Sequence, residues 1–190
     1  MTCLGHDPFP VQSNEYDEPK SMGHSKILPP ATSDKHLIYG VLANLAQRLS
    51  ARLRNHQLLC QLYSITFKSD LGYTREKIKV YKLLNDSKTI TTIASNFLDK
   101  HWHNEPLYYV AINALMLERP SNQLELFSNT EDVDQTVNTK QIKIDDIKDK
   151  INNRYGKGTA ISAKELQSEK ANMISVISPA WRPKGAKRSV

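Results

Sequence analysis

Residues 76–98 read EKIKVYKLLNDSKTITTIASNFL, and the spacing of their apolar positions changes period partway along. Ile78 and Val80 alternate with Lys77, Lys79 and Tyr81, which predicts a β-strand with one face for a core and one wet, basic face. Asp86 or Ser87 then offers an N-cap, and Ile90, Ile93, Ala94, Phe97 and Leu98 follow at spacings of three and four, which predicts a helix. This helix ends near His101–Trp102–His103, ahead of Pro106. Strand character returns in LYYVAINALML at 107–117, with Val110, Ile112, Ala114 and Met116 expected on one face and Tyr109, Ala111 and Asn113 on the other.

Upstream the same grammar repeats. Ser33 or Asp34 caps a helix whose apolar stripe is Leu37, Ile38, Val41, Leu42, Leu45, Leu49 and Leu53. Arg48, Arg52 and Arg54 crowd its last turns, where cations suit the negative end of the helix dipole. LLCQLYSITFK at 58–68 is rich in aromatic and β-branched residues and reads as a strand, and KSMGHSKILPP at 20–30 reads as an extended segment up to a Pro-Pro stop. Strand, helix, strand, strand, helix, strand is an α+β, split βαβ plan. Right-handed crossovers put both helices on one face of a four-stranded sheet and leave the other open. That open face carries Lys77, Lys79, Tyr81, Tyr109 and Asn113 beside the first strand, a flat basic surface that suits a nucleic-acid backbone. An ordinary solvated sheet face is the competing reading.

A chain of 190 residues with 39% hydrophobic residues is sized for one domain with tails, which excludes a large multidomain catalyst. Its net charge of +6 is unevenly spread. Residues 1–19 carry four acids and no Lys or Arg, and residues 20–120 carry 14 Lys and Arg against seven acids. Residues 121–149 are acidic, and residues 150–190 are basic again. The basic middle block points to a polyanionic partner. No apolar run approaches the ~18 residues of a membrane-spanning helix and no export signal is evident, so the expectation is a soluble, cytoplasmic protein. Cys3 and Cys60 are then expected to be reduced. The expected organisation is an extended lead-in at 1–19, a domain at 20–120, a linker at 121–139 and a tail at 140–190. Ile144, Ile147, Ile151 and Tyr155 predict a short amphipathic helix in that tail, with flexible chain from 156 onward.

Within the linker, QLELF at 123–127 places Leu124, Leu126 and Phe127 in a polar, acidic setting. An extended peptide of this kind anchors by its apolar residues in a partner's groove while Gln123 hydrogen-bonds. Folding of the island back onto its own domain is the alternative. Chemistry is sparse by contrast. The acids of 20–120 are scattered, and Asp145, Asp146 and Asp149 are expected on a solvated helix face. His101 and His103 lack a third ligand at metal-binding spacing, and no phosphate-binding glycine loop or nucleophile elbow occurs.

KSMGHSKILP, HLIYGVLANLAQRLSARLR and QLELF occur in an order that resembles the little finger domain of Y-family translesion DNA polymerases and the sliding-clamp-binding motif that follows it. DDIKDKINNRYGKGTAISAKEL resembles the end of the error-prone, polymerase-V-like (ImpB/MucB/SamB) branch, whereas SPAWRPKGAKRSV departs from that pattern. The resemblance implies binding to template–primer duplex DNA through Ser21, Gly23, His24, Lys77, Lys79, Tyr109 and Asn113. It implies binding to the replication sliding clamp through Gln123, Leu124, Leu126 and Phe127. Tyr109 and Asn113 stand on a strand that is often Arg-rich in relatives. The resemblance also implies that the catalytic carboxylates and their Mg belong to a palm domain outside this sequence, so no catalytic residue, metal or cofactor is expected in this chain. Its implied setting is the SOS response and DNA repair, with a separate catalytic fragment as a further partner. A stand-alone protein that occupies the clamp is the alternative, followed by a generic RNA-binding αβ module. The latter lacks the pair of base-stacking aromatic residues on central strands.

Overall fold

The local signals set out above become six packed elements and one appended helix in a computed structural model, which describes residues 19–120, 134–156, 158–163 and 166. In chain order they are β1 (Ser21–Thr32), α1 (Lys35–Asn55), β2 (Leu59–Ser69), β3 (Gly72–Leu84), α2 (Ser87–His101), β4 (Leu107–Glu118) and α3 (Asp134–Tyr155). The sheet order is β1-β4-β2-β3 and every neighbouring pair is antiparallel. Each crossover therefore skips one strand: α1 carries the chain from β1 past β4 to β2, and α2 carries it from β3 past β2 to β4. The predicted α+β, split βαβ plan is the observed one.

Capping residues define the helix starts. Asp34 Oδ1 accepts from the backbone N–H groups of His36 (2.9 Å) and Leu37 (3.3 Å), and Asp86 Oδ2 accepts from that of Thr89 (2.8 Å). Each such cap is worth about 1 kcal/mol. Ile38, Leu42, Leu49 and Leu53 of α1 and Ile90, Phe97 and Leu98 of α2 meet Tyr63, Ile65, Phe67, Val110 and Ile112 of the central strands in one core. Alternation along β2 and β4 leaves the opposite sheet face without a helix.

The expectations for β1, β3, Met116 and the tail helix are corrected. β1 continues through Pro29 and Pro30 to Thr32 instead of stopping, with a register shift between Ile27 and Thr32. An edge strand has an unpaired side, so proline's missing N–H need not break the ladder there. β3 begins at Gly72, four residues before Glu76, because Ser69 pairs with Gly72 across a tight turn at Asp70 and Leu71; Gly72 has φ 113°, a conformation suited to glycine. Met116 is not inward: its φ is 55°, it is 67% exposed, and Leu117 packs on the core instead. Finally, the predicted short tail helix is the 22-residue α3, and it docks on the domain by its acidic side.

That docking centres on Arg54. Its Nε donates to Asp149 Oδ2 at 2.8 Å, Nη2 lies 2.6 Å from the same oxygen, and Nη1 is 3.3 Å from Asp145 Oδ2. Nη1 also donates to Ser50 Oγ and to the Asn85 carbonyl. Asp145 in turn accepts from the backbone N–H (2.9 Å) and hydroxyl of Ser87, the first residue of α2, so a carboxylate from α3 sits at the positive end of the α2 dipole. Asp145 is 1% exposed, contrary to the solvated face expected for it, while Asp146 is exposed and pairs with Lys150. Burial pushes the Asp149 carboxyl above its usual range, with Arg54 pulling the other way. Beyond α3 the Asn152 carboxamide makes two hydrogen bonds to the backbone of Ala160, each 2.9 Å, which turns the chain back toward the helix.

Candidate nucleic-acid interface

Cross-strand register assigns the open face row by row. Ser21, Leu115, Leu62 and Lys79 form one row, and Gly23, Asn113, Ser64 and Lys77 the next. Ser25, Ala111, Thr66 and Arg75 follow, then Ile27, Tyr109, Lys68 and Tyr73. At the usual strand spacing each row spans about 14 Å. No acidic residue stands on these rows, and Lys68, Arg75, Lys77 and Lys79 gather toward the β3 edge.

Six of the seven DNA-site residues named from sequence fall on this face, and Gly23, Asn113 and Lys77 share a single row. His24 does not. It pairs with Ile112, a fully buried core residue, so strand alternation turns it toward the helix side. Tyr81 keeps the parity of Lys77 and Lys79 but lies beyond the last regular pair, Leu62 with Lys79, in an irregular stretch of β3 where it is fully exposed. Gln123, Leu124, Leu126 and Phe127 lie outside the described residues.

The glycine of the KSMGHS stretch has a structural reason. A Cβ built on Gly23 would overlap the Asn113 side-chain oxygen and come within 2.8 Å of its Cγ. The Asn113 carboxamide therefore occupies the space over Gly23 on the edge strand.

Sequence reading missed Tyr73, Arg75, Ser64, Thr66 and Lys68. Arg75 Nε donates to Ser64 Oγ at 2.8 Å, which aims the guanidinium across the face from a part-buried anchor. Lys68 stands over the Tyr73 ring at 5.2 Å, a cation–π pair across the β2–β3 hairpin. Thr66, Tyr73, Arg75, Tyr109, Ala111 and Asn113 line a shallow depression of about 510 Å³. The alternation of Tyr73 and Arg75 with Lys77 and Lys79 was the available signal; Gly72 beside it masked it.

Nearby carboxylates are engaged elsewhere. Glu76, on the helix side of β3, meets His101 Nε2 at 2.9 Å and Lys100 Nζ at 3.2 Å, and these partners, His101 foremost, hold its carboxyl below the ordinary range. The Tyr108 hydroxyl donates to Asp70 at 2.6 Å, which ties up the hairpin acid and pushes the phenol up. Among the described residues neither carboxylate is ion-paired with Lys68, Arg75, Lys77 or Lys79. Among the described residues, no three His, Cys, Asp or Glu side chains come together as a metal site. Among them, too, no helix is long and apolar enough to cross a membrane.

Residues 19–126 match the impB/mucB/samB family C-terminal domain. The chain belongs to this family. The Y-family resemblance carried by KSMGHSKILP and the first helix therefore holds, and the open face belongs to the C-terminal part of a Y-family polymerase. The chain is 27% identical over 173 residues to DNA polymerase IV of Bacillus velezensis, covering 86% of this chain and 40% of that protein. It is 26% identical over 169 residues to DNA polymerase IV 1 of Bacillus subtilis, covering 84% and 39%. DNA polymerase IV of Oceanobacillus iheyensis is 23% identical over 158 residues, covering 80% and 36%. The chain thus spans about two fifths of the length of these relatives.

Proposed function

We propose that residues 20–120 grip the sugar-phosphate backbone of template–primer duplex DNA through the open sheet face, as the little finger of an error-prone, translesion Y-family polymerase acting in DNA repair and damage tolerance. The observation that carries this reading is the acid-free set of rows, with Arg75, Lys77 and Lys79 in line along β3. Lys and Arg that neutralise phosphates release counterions, so affinity falls steeply with salt and depends little on sequence. Asn113, Ser64 and Thr66 supply neutral hydrogen-bonding groups between the cations and β1. On the two central strands Tyr109 is the one aromatic side chain of this face, which disfavours base stacking by single-stranded RNA.

The second half of the proposal is that Gln123, Leu124, Leu126 and Phe127 anchor the chain to the replication sliding clamp, as a linear peptide in an apolar groove. Two substitutions separate the halves. Phe127→Ala is expected to abolish clamp capture and leave duplex binding intact, and Lys77→Glu with Lys79→Glu is expected to do the reverse. Clamp capture unchanged by Phe127→Ala counts against the anchor, and duplex affinity unchanged by the double reversal counts against the face.

A further inference from the structure

Ala111 of β4 and Thr66 of β2 pair across the open face, and both are small. Larger side chains surround them: Tyr109 and Tyr73 toward the β2–β3 hairpin, Asn113 on the opposite side and Arg75 at the β3 edge. The resulting depression, of about 510 Å³, is within the size range of small-ligand sites. From Tyr109 to Asn113 is four residues of strand, about 13 Å, which leaves room for a flat heterocycle between them. Ala111 is 2% exposed although no helix covers this face, so its methyl lies at the bottom of the depression, beneath the flanking side chains. The rim carries binding groups that the fold leaves unused. Arg75 spends Nε on Ser64, and among the described residues its two Nη groups make no hydrogen bond or ion pair. Among them, too, no hydrogen bond holds the Asn113 carboxamide, the Thr66 hydroxyl or the hydroxyls of Tyr73 and Tyr109. Tyr73 is 69% exposed, an aromatic ring in water with the Lys68 ammonium 5.2 Å from its centre. Exposed rings beside cations and neutral polar groups, on rows without an acid, are the groups that hold an unpaired base and its phosphates.

We propose that this depression takes one unpaired nucleobase of DNA, from the single strand that continues beyond the duplex. Tyr73 and Tyr109 offer π-faces, Asn113 and Thr66 meet the edge of the base, and Arg75 and Lys68 meet the phosphates beside it. Assignment of that strand to a polymerase template rests on the reading of the open face above. Strand β2 separates the two tyrosines, so they do not form the pair on central strands that stacks successive bases in an RNA-binding sheet, and the depression serves one base. Stacking on a ring is tolerant of base identity, in keeping with a face that grips without reading sequence.

Anisotropy of fluorescein-labelled probes with the full chain tests the site. One probe is a duplex with a short 5′ overhang of thymidines, and the other carries an equal number of abasic residues there, so the phosphates are the same and only the bases differ. The parent protein is expected to bind the thymidine overhang about tenfold more tightly than the abasic one. Tyr73→Leu with Tyr109→Leu keeps apolar bulk, removes both π-faces and is expected to bring the two affinities together. Tyr73→Leu alone, at an exposed position on the edge strand, is expected to narrow the ratio by itself and serves if the double variant does not fold. Equal affinity of the parent for the two overhangs overturns the site, as does a folded double variant that keeps the parent's ratio. Thermal melting in thymidine monophosphate separates a strand from a free nucleotide. No rise beyond that in inorganic phosphate is expected, and a rise accompanied by equal overhang affinities assigns the depression to a free nucleotide and overturns the proposal. Failure of the open-face reading is distinguishable, since a parent that does not hold blunt duplex is still tested with the thymidine and abasic single strands alone, whose affinity ratio reads the depression by itself.

Discussion

A side chain at position 23 has to compete with Asn113 for one space. The added methyl of Gly23→Ala would meet Asn113 Cγ at 2.8 Å and the Ile112 carbonyl oxygen at 3.2 Å, and that carbonyl, being backbone, cannot yield. Overpacking of this kind costs about 1–3 kcal/mol. Urea unfolding of Gly23→Ala is expected to show a loss within that range, and Asn113→Ala in the same chain is expected to recover part of it. Additive losses from the two substitutions would mean that the carboxamide does not lie over Gly23. The consequence reaches the interface, because a displaced Asn113 no longer bridges Gly23 to Ser64 in the row that ends at Lys77.

At the scale of elements, α3 is secured by charge rather than by its apolar stripe. Ile144 and Ile147 are exposed, while Asp145 is buried against Arg54 and Ser87. Arg54→Met would leave the two carboxylates facing each other without a cation, and breaking a buried pair in this way costs about 3–5 kcal/mol. The sign of the pH dependence follows from Asp149. Its folded pKa is raised above the ordinary 3.8, so its contribution is most favourable below 3.8 and is lost as pH rises through the folded value. Without Arg54 that loss grows. The destabilisation of Arg54→Met measured by urea is therefore expected to be larger at pH 7 than at pH 4, and a loss independent of pH would contradict this account of α3. Local signals explain what could be read in advance. Asp34 and Asp86 cap helices whose stripes lie within the next turns, so α1 and α2 were legible from spacing alone. Asp145 was not, because its partner Arg54 is 91 residues away and leaves no mark on local period. His24 was assigned to the open face from its motif, whereas strand parity with Met22 and Lys26 turns it to the helix side.

Over the whole molecule, strand order decides which cations act together. Placing β3 at an edge gathers Arg75, Lys77 and Lys79 along one rim, and Glu76, on the helix side of the same strand, is paired with Lys100 and His101 instead of with them. Under the proposed function such a surface holds a duplex by its backbone, with the strength of that hold set by counterions. Duplex affinity of the full chain across a salt series, compared with Arg75→Gln, Lys77→Gln and Lys79→Gln combined, tests this most directly. The parent is expected to show a log–log salt slope steeper by about 2.7 than the triple variant, with equal affinity for unrelated duplex sequences. Identical slopes for the two proteins would contradict a sheet face that grips DNA.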